Sequence, residues 1–147
     1  MASFSHTVPV QASPARVWAL VRDVQRVAGL FSYLQVDDVC SPQADCWVFD
    51  RQLSLPNVAN LRWREHAQIV REGELQFHAL GGDLTTFDGH WLVTPTGETA
   101  TLTLALEYVI PEAHAPRMPA ALVGYVMGQI FTSICDRVRE AAEEDAE

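Results

Sequence analysis

The chain has 147 residues, 48% hydrophobic and 20% charged, a balance that suits one folded domain and not a disordered chain. A formal net charge of -9 disfavours nucleic acid and anionic membrane surfaces as partners, since both would repel it. All ten basic residues are arginine, and the absence of lysine excludes a Schiff-base amine, covalent pyridoxal binding and a Walker-type phosphate loop.

Ser3 to Val10 alternates polar and apolar residues, the period of a half-buried strand. Ser13-Pro14 then opens a helix, with serine as the cap and proline in the first turn. Val17, Trp18, Leu20 and Val21 form its apolar face. A second short helix starts near Asp23 and ends at Gly29. From Tyr33 the pattern becomes a meander, with strands expected at 33–40, 45–54, 60–70, 74–80, 84–94 and 99–110. The breaks carry Ser41-Pro42, Pro56-Asn57, Glu72-Gly73, Gly81-Gly82 and Thr96-Gly97. Turn signals this closely spaced favour antiparallel neighbours. A Pro/His/Ala stretch follows between Pro111 and Pro119. A long helix is then expected over about 119–143, with Val123, Met127, Ile130, Ile134 and Val138 on one stripe. Glu143–Glu147 reads as a solvated, fraying acidic tail.

No repeat, low-complexity segment or linker interrupts residues 1–147, so a single domain of the α+β class is expected. Three cysteines, Cys40, Cys46 and Cys135, have no CxxC spacing and read as reduced thiols. The N-terminus lacks a secretory pattern, and no apolar run reaches the ~20 residues that cross a bilayer. A cytoplasmic protein without membrane insertion is the expectation.

Three stretches carry a family resemblance: "VPVQASPARVWALVRDVQRVAGLFSYL", "NLRWREHAQI" and "LTTFDGHWLVTPTGETATLTLALEYVIP". Their marks are a strand entering a Pro-started helix with Trp18, an aromatic-Gly-x-Trp strand (Phe87, Gly89, Trp91) and a turn at Gly97. Over nearly its full length the chain resembles the polyketide cyclase/dehydrase branch of the START/Bet v 1-like superfamily. The resemblance implies a helix-grip fold: a curved seven-stranded antiparallel sheet around a long C-terminal helix, with two short helices after the first strand. It also implies a hydrophobic ligand cavity between sheet and helix. Two functions follow from it. One is a cofactor-free polyketide cyclase or aromatase, with acyl carrier protein or other polyketide enzymes as partners. The other is a non-catalytic carrier of a quinone, lipid or aromatic molecule. A homodimer is compatible with either. Aromatase/cyclases of the branch place an arginine on the middle strand and a tyrosine after the short helices. Here those positions hold Ala67 and Leu34, and the neighbouring Tyr33 belongs to the opposite face of the strand.

Alternation assigns side chains to faces. Leu61, Trp63, Glu65, Ala67 and Ile69 share the apolar, inward face of their strand. Glu65 is therefore an inward carboxylate, which needs a partner. Trp47, Phe49, Arg51, Leu53 and Leu55 share the inward face of the preceding strand. A hairpin near Pro56-Asn57 sets Arg51 almost opposite Glu65. Two readings stand for this candidate catalytic pair. It polarises a ligand carbonyl with the carboxylate as general base, or it is a structural ion pair. Trp63, Phe87, Trp91, Tyr108, Met127 and Ile130 are the candidate substrate-binding residues, on the inward faces of strands and helix. Gln129 and Ser133 face either the cavity or solvent. His66, His78 and His90 share the outward face, with His78 expected opposite Thr86 and so about four residues from His90. That spacing does not gather three ligands around a metal. His6 and His114 have no assignable partner. Neither metal nor cofactor is called for.

Overall fold

The computed structural model describes residues 2–56, 59–114 and 119–145. The elements run β1 (Ala2–Val10), α1 (Pro14–Val21), α2 (Val24–Ala28), β2 (Leu34–Gln43), β3 (Cys46–Leu55), β4 (Ala59–Arg71), β5 (Glu74–Gly82), β6 (Phe87–Thr96) and β7 (Thr99–Tyr108). A short 3-10 turn at Glu112–His114 and the helix α3 (Ala120–Asp145) complete them. Both short helices start where side-chain oxygens satisfy free amides. Ser13 Oγ accepts from the Arg16 amide at 3.3 Å and Asp23 Oδ1 from the Arg26 amide at 3.1 Å.

The seven strands form one antiparallel sheet in the order β1-β7-β6-β5-β4-β3-β2. With the long α3 this is the helix-grip arrangement of START/Bet v 1-like proteins. α1 and α3 pack on each other, and α3 also lies against β1 and β7. Val10, Val17, Phe49, Leu61, Leu102 and Val138 are fully buried at the centre of the core.

Three boundaries differ from expectation, each for a local reason. Ser41-Pro42 does not end β2, which continues to Gln43 through two register shifts and a positive φ of 51° at Asp38. β2 is an edge strand, where proline's missing N–H costs no ladder bond. The chain reverses instead at Ala44-Asp45. Gly81 and Gly82 belong to β5, and the connection is 83–86, so β6 starts at Phe87 rather than at 84. At Gly82 the φ is +114° and a Cβ would meet the Arg62 carbonyl at 2.7 Å, so only glycine fits there. The hairpin expected at Pro56-Asn57 involves Asn57, outside the described residues, as are residues 115–118 of the Pro111–Pro119 stretch and 146–147 of the acidic tail. The helix itself continues to Asp145, and Glu143 Oε2 accepts from the Gln11 amide at 2.8 Å. Residues 143–145 are therefore helical, not frayed.

Two features shape the concave side. β5 pairs with β6 only from Glu74↔Leu92 to Phe77↔Gly89, and the rest of β5 pairs with β4 alone. The sheet thus parts at this end, and Leu84 in the 83–86 connection is buried, 1% exposed. At Gly89, β6 and β7 come so close that a Cβ would lie 2.6 Å from the Leu106 Cβ, and nearer still to the Ala105 carbonyl oxygen. The glycine between Phe87 and Trp91 is thus a demand of packing.

Candidate functional site

Between sheet and helices lies a partly open cavity of about 60 Å³. Its polar corner is built from β3 and β4. Arg51 Nε donates to Glu65 Oε1 at 2.9 Å and Arg51 Nη2 to Glu65 Oε2 at 3.0 Å. Trp63 Nε1 donates to Glu65 Oε1 at 3.0 Å. The Arg51 Cζ lies 5.1 Å from the centre of the Phe49 ring. Glu65 is 2% exposed and the Arg51 side chain 14%. Burial of a carboxyl group this deep demands hydrogen-bond partners, and three donors supply them. Arg51 Nη1 has no hydrogen bond among the described residues and keeps some accessible surface.

The expected register is off by two. Arg51 faces Trp63 across the ladder, and Glu65 faces Phe49. The pair still forms because both residues share the inward face, and a diagonal of about 7–8 Å lies within reach of arginine. Trp63, two residues before Glu65 on the same face of β4, is the third member, which face-counting places in the wall but does not identify as a donor to Glu65.

Arg51, Glu65, Trp63, Phe87 and Trp91 all line the cavity. Tyr108, Met127 and Ile130 are not in its wall. Met127 is 1% exposed and packed in the core, and Ile130 is half-buried. Tyr108 stands behind the wall with its ring edge-on to Phe131 at 5.3 Å, and burial raises its hydroxyl pKa. From α3 the lining residues are Phe131 and Ile134. The helix face is rotated from the expected stripe: Phe131, Ile134, Cys135 and Val138 are buried, whereas Val123 and Ile130 are only half-covered. Phe131 was legible as an apolar residue four positions after Met127, but its role depends on which way the helix turns. Gln129 and Ser133 face solvent. At the two positions where the resemblance implies arginine and tyrosine, Ala67 is buried at 1% exposure and Leu34 contributes a hydrocarbon wall. Tyr33 packs against Phe31 as a tilted ring pair at 5.5 Å.

Aromatic rings connect the polar corner to the helix. Trp63 lies 5.0 Å from Phe87, and Phe87 lies 5.5 Å from Phe77 and 6.1 Å from Phe131, all as tilted pairs. Such geometries suit ring quadrupoles and make an aromatic, polarisable lining. The wall thus offers hydrocarbon on most sides and one guanidinium edge.

The outward histidines are arranged differently from expectation. His66 and His78 are directly opposite, rings 4.7 Å apart, and His66 Nε2 lies 3.0 Å from Cys46 Sγ. Partial burial and the facing His78 lower the His66 pKa. His90 pairs with Gln76, two residues from His78 and not four, and its Nδ1 lies 4.0 Å from Glu74. Among the described residues, no three His, Cys, Asp or Glu side chains are disposed to share an ion. His6 and His114 do have partners, Asp136 and Asp83, each at 3.5 Å. Burial pushes the Cys135 thiol up to about 12, so it packs as a neutral side chain.

The family described as polyketide cyclase / dehydrase and lipid transport matches residues 10–142. The chain belongs to this family. Among solved structures, the aromatase/cyclase ZhuI from Streptomyces sp. R1128 superposes with a TM-score of 0.80 at 16% identity, covering 99% of this chain and 95% of that one. The protein TTHA0849 from Thermus thermophilus gives 0.82 at 18% identity, with 99% of each chain covered. A START superfamily protein from Mycobacterium smegmatis gives 0.76 at 14%, covering 98% and 99%. No curated protein matches the sequence. The polyketide cyclase/dehydrase family accounts for the apolar cavity and for the sheet-and-helix frame. Among the described residues no helix is long and apolar enough to cross a membrane.

Proposed function

We propose that the cavity binds a mostly apolar carbonyl compound of the poly-ketone or aromatic-ketone kind, and that the protein acts on it as a cyclase of the aromatase/cyclase type. The observation that carries this reading is the Arg51 guanidinium. It is fixed at the wall by Glu65, which Trp63 holds in turn, and its Nη1 has no hydrogen bond among the described residues. A ligand ketone oxygen accepting from Nη1 is polarised by a pre-set donor, which stabilises the enolate form. The apolar walls hold the rest of the chain folded on itself, so that an enol carbon meets a second carbonyl carbon at bonding range. The carbon–carbon bond forms, the carbonyl oxygen takes up a proton, and the resulting hydroxyl leaves as water with a neighbouring hydrogen. Glu65 accepts three hydrogen bonds already, so it serves as the positioning residue for Arg51, and the α-proton passes to water.

The test uses a thioester of a poly-β-ketone and follows the absorbance of the aromatic product. Glu65→Gln, and Arg51→Met in combination with Glu65→Leu, are expected to lower turnover at least ~100-fold, with circular dichroism reporting an intact fold. Equal turnover in both variants overturns the assignment. A second reading, a carrier that shields a quinone, lipid or aromatic molecule, is favoured by Ala67 in place of the family's strand arginine. A ligand found by native mass spectrometry on the freshly purified protein, with no turnover of the thioester, supports the carrier over the cyclase.

A further inference from the structure

The cavity of about 60 Å³ admits water-sized occupants, whereas sites for drug-sized ligands span ~300–1,000 Å³. Any ring-bearing ligand therefore displaces something, and the structure shows what stands in the way. Phe131 is the only aromatic side chain that α3 contributes to the described wall. Its ring is flanked on the cavity side by Phe87 at 6.1 Å, and on the far side by Phe4 at 5.4 Å and Tyr108 at 5.3 Å. It completes a row running from Trp63 through Phe87, and so occupies the place in which a flat ligand ring would continue that row. The helix that carries it is thinly held on its N-terminal side. Leu122 and Tyr125 are 45% and 65% exposed, and a methyl group at Gly124 or Gly128 would meet open space. Met127 is the one buried residue between Ala120 and Phe131.

We propose that Phe131 sets the size of ligand the cavity accepts: its ring fills one end of the cavity and yields to a planar, conjugated ketone whose oxygen points to Arg51. The inference rests on the reading of this cavity as the ligand site. Small single-ring ketones fit with modest movement, and larger fused-ring ketones require the Phe131 ring to leave.

Acetophenone, with one ring, and 9-fluorenone, with three fused rings, serve as unreactive probes, and isothermal titration gives the affinity of each. Phe131→Ala is expected to raise the ratio of fluorenone to acetophenone affinity by about tenfold or more, with Phe131→Leu intermediate. Val138→Ala removes volume from the same helix face outside the cavity wall and should leave the ratio unchanged. If Phe131→Ala does not fold by circular dichroism, Phe131→Leu alone decides. A ratio within about twofold of wild type in a folded Phe131 variant overturns the proposal, as does an equal rise in Val138→Ala. Arg51→Met separates this failure from that of the functional reading. Loss of affinity for both ketones in Arg51→Met with an unchanged ratio in the Phe131 variants sinks the size proposal alone. A shifted ratio with no effect of Arg51→Met sinks the role of Arg51 alone. No binding of either probe to any form overturns both.

Discussion

Glu65 illustrates how one buried charge organises its neighbours. Its carboxylate lies at 2% exposure and is held by two bonds from Arg51 and one from Trp63. Removing one partner of such a pair leaves the other uncompensated in a low-dielectric setting, whereas removing both leaves only a shape to fill. Arg51→Met is therefore expected to destabilise the protein by about 3 kcal/mol, and Arg51→Met with Glu65→Leu to recover most of that loss. Guanidinium unfolding of the three proteins provides the check. Additive losses in the double variant would show that the pair is not coupled. Of the roughly four lone-pair sites of the carboxylate, two are engaged by Arg51 and one by Trp63.

At the level of elements, the sheet tolerates or rejects a methyl group according to how near the next strand runs. Gly89 of β6 lies so close to β7 that a Cβ would come within 2.6 Å of the Leu106 Cβ, and the other nearest atoms are β7 backbone, which leaves no flexible side-chain end to give way. Gly124 of α3 faces open space. Gly89→Ala should cost roughly 1–3 kcal/mol or more through overpacking and lower the melting temperature by several degrees. Gly124→Ala should be neutral or stabilising by up to ~1 kcal/mol, since alanine is the better helix former. Thermal melts of the two variants should therefore move in opposite directions for one chemical change, and a loss at both sites would contradict this account of the strand contact.

Across the whole molecule, stability is unevenly distributed along α3. The C-terminal half buries Phe131, Ile134, Cys135, Val138, Ala141 and Ala142, and Glu143 is tied to the Gln11 amide. The N-terminal half is mostly exposed or half-buried. Local opening follows local burial. Amide hydrogen exchange should therefore be at least about tenfold faster over residues 120–127 than over 131–142. Uniform protection along the helix would contradict this account of uneven burial. The parted β5–β6 ladder adds a second region of low pairing beside the same cavity, closed by the buried Leu84.

Much of this was legible in the residues. Ser13-Pro14 and Asp23 specify helix starts through their own oxygens and the proline ring, and period-two alternation in 60–70 specifies which face of β4 is buried. Those effects act over a few neighbouring residues, so they are written locally. The inward placement of Arg51 and Glu65 followed from the same parity. Register did not, because parity leaves a shift of two residues between β3 and β4 open, and only the pairing of the two strands fixes it. Trp63 shares the face of β4 with Glu65, and that its indole N–H turns to the carboxylate is a matter of side-chain rotamer that only the packed structure shows. The rotation of α3, which exchanges Ile130 for Phe131 at the cavity, is likewise set by contacts with β1, β7 and α1. A helical stripe more than one residue wide leaves that rotation open, and only packing closes it.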